Sequence, residues 1–282
     1  MGSANYIVYM FLALVLGLTS ACSSQVQTPS DWADFWQAAP QRKAATLSQR
    51  LKMTLLPVSS LGKLHYQQQV YDLPVVRVRR VAKQAPICIF AGVHGNELAG
   101  TAAAVSLIED LAKLPRLYPK TNFTLVPLVN PWGWERGFRY NFEGKDIARQ
   151  FALSGTQETD FIKALLAREH CQVLVDLHED SQHSGFYLLT YEPADPHFTP
   201  NMVKRIAKAL GIAPAEQVPQ GVYQVSAQEF ASNPRPTLSQ YAREQGVPHT
   251  YIIETPMRLS MQERVAIHRR VLDELITQLS HK

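Results

Sequence analysis

Two of the nine histidines in this 282-residue chain stand where short apolar runs give way to polar and acidic residues. The run Ile87-Cys88-Ile89-Phe90-Ala91 leads into Gly92-Val93-His94-Gly95-Asn96-Glu97. A histidine and a glutamate three apart at the opening of a helix can both face one point, which is chelating geometry. A solvated helix start, with Glu97 near the positive end of the dipole, would carry the same pair. The run Val173-Leu174-Val175 continues into Asp176-Leu177-His178-Glu179-Asp180, so a second histidine emerges at a strand end. Two histidines and one glutamate complete the protein share of a catalytic zinc site with an open fourth position. The alternative for His178 is a capping or hydrogen-bonded loop histidine, and Glu179 and Asp180 read as exposed.

Zinc hydrolysis also needs a base for water and a cation for the oxyanion. The last apolar run ends Ile252-Ile253-Glu254-Thr255-Pro256, which puts a carboxylate directly after a strand and makes Glu254 the candidate base. Residues 130–151 form a long segment rich in aromatics and arginines, including Arg136, Arg139 and Arg149. Segments of that length without their own regular structure are usually functional.

Apolar runs at residues 87–91, 123–129, 173–177, 186–190 and 250–253 predict strands, and β-like runs precede them from Leu64 to Val78. Helical rhythm is found over residues 98–114, 159–169 and 201–210, the last closed by Gly211. Ser260 and Glu263 make a capping box for a final helix towards Ser280. Strands alternating with helices predict an α/β fold, a mixed, largely parallel β-sheet flanked by helices on both faces, with its chemistry at strand ends. The chain has 46% hydrophobic and 18% charged residues, enough apolar material for a packed core, which excludes disorder. Its net charge of +4 comes from scattered basic residues, so no nucleic-acid partner is expected.

Several stretches resemble one family, the zinc carboxypeptidases of the M14 type with their relatives the succinylglutamate desuccinylases and aspartoacylases. His94-Gly-Asn-Glu97 is similar to the family's first zinc motif, Asp176-Leu-His178 to its third ligand, and Ile-Ile-Glu254 to its general base. Asn130-Pro131-x-Gly133 with Arg136-x-x-Arg139-x-Asn141 resembles the stretch that supplies the oxyanion-polarising arginine, a role that falls on Arg139. Gly144-x-Asp146-Ile-Ala148-Arg149-x-Phe151 is similar to the family's Gly-x-Asp-Leu-Asn-Arg-x-Phe, whose Asn-Arg pair grips the substrate carboxylate. Arg149 keeps that match and Ala148 breaks it, so Asn141 is a candidate substitute donor. Trp132 stands where the family has aspartate. The family's mobile tyrosine has two candidates, Tyr223 and Tyr241, and no motif selects between them. The resemblance implies one zinc per chain and a metallocarboxypeptidase acting on peptides or other small amides. The alternatives are an N-acyl amino acid deacylase and a non-catalytic peptide-binding lipoprotein.

Residues 6–21 are apolar and uncharged, and read as a signal peptide over residues 1–21. Leu18-Thr19-Ser20-Ala21-Cys22 resembles the lipobox of bacterial lipoproteins, although no Lys or Arg precedes the run and Thr19 replaces the usual leucine. Cys22 would then carry a lipid anchor on the periplasmic side of the cell envelope, and without lipidation the protein would be secreted. A tether and packing helix, carrying Trp32, Phe35 and Trp36, is expected over residues 22–55, and the catalytic domain over residues 56–282. Cys88 and Cys171 read as core residues. An oxidising compartment permits their pairing, but a buried free thiol is the expectation. Arg269 and Arg270 read as lying on an exposed helix face.

Overall fold

The centre of the molecule is four largely buried, mostly apolar strands. In the computed structural model, which describes residues 42–152, 155–191, 199–233 and 236–280, these are β3 (Ile87–Ala91), β4 (Phe123–Val126), β5 (Val173–Asp180) and β8 (His249–Pro256). They run parallel in the order β4-β3-β5-β8. Strands apolar on both faces need cover on both faces, and parallel strands need crossover helices to supply it. The hairpin β1 (Val58–Tyr66) and β2 (Gln69–Val78) extends the sheet antiparallel beyond β4. At the other edge β6 (Tyr187–Tyr191) pairs antiparallel with β8, and β7 (Val222–Val225) parallel with β6. The result is the expected mixed sheet, parallel at its centre, and β7 is a strand the apolar pattern did not announce.

One face of the sheet is covered by α1 (Ala44–Met53), α2 (Leu98–Lys113), α5 (Pro200–Leu210) and α8 (Met261–Ser280), which share a core with Ile89, Val175 and Ile253. The opposite face packs α4 (Gln157–Glu169) and α7 (Leu238–Glu244) against Cys88, Phe90 and Leu174. Short helices α3 (Pro131–Arg136) and α6 (Ala227–Ser232) lie in the connections. Local chemistry sets these ends. Thr199 caps α5 and Gly211 closes it in the left-handed region. Ser260 and Glu263 exchange the two capping hydrogen bonds before α8.

Two expectations change. Cys88 and Cys171 form a disulfide, with Cα atoms 5.8 Å apart, because β3 and β5 are sheet neighbours despite their distance in sequence. Arg269 is buried rather than exposed, bonded to Ser106 and Asp110 of α2, because α8 turns that side onto α2. The segment of aromatic residues 31–36, the signal peptide and Cys22 lie outside the described residues. Among those described, no helix is long and apolar enough to cross a membrane.

Candidate metal centre and active site

The loop after β3 is held in close contact with α3. A Cβ on Gly95 would stand 2.1 Å from the backbone carbon of Gly133, so only glycine permits the approach. Asn130 caps α3 by accepting from the Gly133 N–H at 2.9 Å, with Pro131 at the first helical position and Gly137 ending the helix at positive φ. His94 leaves this loop, and Glu97 is the N-cap of α2. Alternation along β5 turns Asp176 and His178 to one face, and sheet register sets Glu254 of β8 directly beside His178.

His94, Glu97 and His178 converge, all buried. Nδ1 of His94 lies 2.7 Å from Oε1 of Glu97, Nδ1 of His178 lies 2.8 Å from Oε2, and the two Nδ1 atoms are 3.2 Å apart. Each imidazole turns its other nitrogen to a carboxylate: Nε2 of His94 is 3.0 Å from Oδ1 of Asp146, and Nε2 of His178 is 2.9 Å from Oδ2 of Asp176. With the Nε2 nitrogens turned to carboxylates, both Nδ1 atoms face a common point as lone-pair donors, the arrangement metal-bound histidines show. The donor atoms all lie within 4.8 Å of one another, and nitrogen with carboxylate oxygen suits zinc.

The electrostatics agree. Burial opposes ionisation of Glu97, yet the charges of His94 and His178 hold its carboxyl well below the usual range. Burial opposes protonation of His178, yet Asp176 and Glu97 hold its pKa well above the ordinary imidazole value. A field that retains a proton there is one that favours a cation in its place. Burial pushes the Glu254 carboxyl up to about 8, with Glu97, Asp180 and Asp176 adding to the effect of burial and His178 opposing it.

The site opens on a cavity of about 800 Å³ lined by His94, Glu97, His178, Glu254, Arg139 and Arg149, and by Tyr187 and Tyr191 of β6. Arg139 donates to Oε1 of Glu97 at 3.2 Å and to Oδ2 of Asp146 at 3.1 Å. Asp146 also caps the 3₁₀ turn Ile147–Arg149 by accepting from the Ala148 N–H. One side chain thus holds His94, Arg139 and the turn that presents Arg149. Arg149 is exposed on the cavity wall, and Ala148 lines that wall without a polar group.

Asn141 is not a cavity residue, contrary to expectation. It is fully buried: its Oδ1 accepts from the backbone N–H groups of Glu143 and Lys145, and its Nδ2 donates to Glu158. Its hydrogen-bonding capacity goes to shaping the loop that carries Arg139. Neither Tyr223, bonded to Glu229, nor Tyr241, packed on Phe151, reaches the cavity wall. Tyr187 does: it is the register partner of Glu254 on β6, and its hydroxyl donates to Asp180 at 2.7 Å. Glu179 and Asp180 are not simply exposed, since Glu179 is buried against Arg264 and Asp180 is bonded to Tyr187 and His183. Sequence reasoning missed Asp146, Asp176, Tyr187 and Glu179 as site residues. Alternation from His178 marks Asp176, but nothing local marks Tyr187.

Comparison with known proteins agrees with this geometry. A metallo-carboxypeptidase from Burkholderia cenocepacia superposes with a TM-score of 0.63 at 17% identity, covering 84% of this chain and 68% of that one. A Shewanella denitrificans protein crystallised as a candidate metallopeptidase gives 0.66 at 20% identity, covering 83% and 88%. These likenesses establish the metallocarboxypeptidase fold. Carboxypeptidase 2 of Trichophyton tonsurans is 35% identical over 92 residues, 31% of this chain and 17% of that protein. The chain therefore spans about a fifth of the length of such curated relatives. The model of the succinylglutamate desuccinylase/aspartoacylase catalytic domain matches residues 83–233, more than half of the chain, a span that holds His94, Glu97, Arg139, Arg149 and His178 but ends before Glu254. By that match, this protein belongs to the succinylglutamate desuccinylase/aspartoacylase catalytic-domain family.

Proposed function

We propose that the protein is a zinc-dependent amide hydrolase, a metallocarboxypeptidase that trims peptides, including peptidoglycan stem peptides, in the bacterial cell envelope. The observation that carries this reading is the meeting of His94, Glu97 and His178 beside Glu254, under a wall bearing two arginines. Zinc held by the three ligands supplies Lewis-acid activation of water and of the scissile carbonyl. Glu254 takes the proton of the attacking water and passes it to the leaving amine. Arg139, oriented by Glu97 and Asp146, offers its guanidinium to the oxyanion. Arg149 pairs with a substrate carboxylate through its planar fork. The disulfide and the apolar run before Cys22 support an exported, lipid-anchored enzyme.

A second reading, hydrolysis of N-acyl amino acids, is favoured by the family match and by Ala148, which removes one donor for a peptide's terminal carboxylate. Zinc-loaded protein incubated with peptides and with N-acyl amino acids decides between them by mass spectrometry. A freed C-terminal residue supports the carboxypeptidase, and cleavage confined to the acyl amino acids overturns it. Glu254→Gln should lower turnover by about 10²–10⁴-fold while keeping zinc. If it leaves ligand binding intact and no parent turnover exists to lose, the protein is a binding module.

A further inference from the structure

Two consecutive residues of β5 go to opposite faces of the sheet. His178 turns to the cavity, and Glu179 turns to the side where α8 packs. There Oε1 of Glu179 accepts from Nη1 of Arg264 at 2.6 Å, with the Glu179 side chain sealed from solvent. Beside it, Thr255 is the register partner of Glu179 on β8 and contacts His268, one turn along α8 from Arg264. The backbone N–H of the same Glu179 donates to Oε2 of Glu97 at 3.0 Å. Glu97 has its other oxygen held by Arg139 from the cavity side, and it begins α2 with no capping bond of its own. One carboxylate oxygen of this ligand is thus held by a loop, and the other by a strand amide.

Two charges taken out of water are costly, and well-packed apolar side chains often serve stability as well or better. A role beyond packing lies in what the pair is attached to. We propose that the Glu179–Arg264 ion pair is a positioning device for the metal ligand Glu97. It ties the end of β5 to α8, so that the Glu179 N–H keeps Oε2 of Glu97 aimed at the point it shares with His178. This inference rests on the zinc-site reading above. Neither residue touches substrate.

The sign of one effect separates positioning from simple charge. Arg264 is a cation behind Glu97, so its removal would by field alone tighten zinc binding. By loss of positioning, it weakens zinc binding. Zinc affinity of the full chain, measured by competition with a chelating dye, should fall about tenfold or more in Arg264→Met, the scale on which lost outer partners act on metal sites. A double variant, Glu179→Leu with Arg264→Met, removes one charge of each sign and strands neither. It should melt near the parent yet bind zinc about tenfold more weakly. Arg269→Met, which removes the fully buried arginine of α8, should lower the melting temperature and leave zinc affinity unchanged. Zinc affinity equal to the parent's, or tighter, in the folded variants overturns the proposal and leaves the zinc-site reading standing. A folded parent that takes up no zinc overturns both.

Discussion

Three acidic side chains divide the roles around His94, Glu97 and His178. Asp146 accepts from the outer nitrogen of His94, Asp176 stands 2.9 Å from that of His178, and Glu254 is raised by burial and by neighbouring carboxylates against the opposing charge of His178. This balance makes the metal-free protein sensitive to pH with a definite sign. Glu254, raised to about 8, and Glu179, raised to about 7 chiefly by burial, hold more protons folded than unfolded, and so does His178. Each contributes stability that is present at low pH and is lost as pH rises, the carboxyls from about 4.5 towards 7–8 and His178 from about 6.5 upwards. Glu97, held low, acts in the opposite sense but only near its ordinary range and below. Calorimetry in chelator should therefore show the melting temperature falling between pH 6 and pH 8.5. Added zinc should raise it more at pH 8 than at pH 6, because the proton it displaces from His178 is held less firmly there. A flat or rising profile in chelator would contradict this account of the site.

At the scale of elements, the site depends on how near two backbones come. A Cβ on Gly100 would meet the Leu177 carbonyl oxygen at 2.8 Å, so the first turn of α2 lies directly on β5 only because that residue is glycine. Gly100→Ala pushes α2, and Glu97 with it, away from His178. It should cost about 1–3 kcal/mol in urea denaturation, as overpacking does, and zinc should restore less of the loss than it adds to the parent. The loop carrying Arg139 and Asp146 is shaped by Asn141, itself bonded to buried Glu158 at the start of α4, which Tyr66 also reaches. The segment is therefore an ordered wall built from side-chain bonds, with little regular structure of its own.

For the whole molecule, the disulfide ties β3 to the chain just before β5, the two strands that lead to the candidate ligands. Cys88 of β3 lies six residues before His94, and Cys171 lies seven before His178, on sheet neighbours whose cysteines are 83 residues apart in sequence. Closing so long a loop lowers the entropy of the unfolded chain, an effect of typically about 2–5 kcal/mol. Replacing both cysteines with serine should lower the unfolding free energy from urea denaturation by that amount while leaving zinc stoichiometry near one. A reductant should reproduce the loss in the parent and do nothing to the double variant.

The candidate ligands and the proposed base are legible in the amino-acid sequence because each sits in a short local pattern, and the two arginines through their resemblance to family motifs. A histidine and a glutamate three apart, or a charged residue at the end of an apolar run, have their relation set by the chain's own geometry. The central strands and long helices are legible for the same reason, since periodicity and caps are local. What only the tertiary structure decided is which residues meet across the sheet. The pairing of Cys88 with Cys171, Tyr187 beside Glu254, Glu179 buried under Arg264, and Asn141 turned inward to Glu158 all depend on strand order and helix docking. Those follow from the packing of apolar faces across the whole chain, and no window of neighbouring residues contains that information.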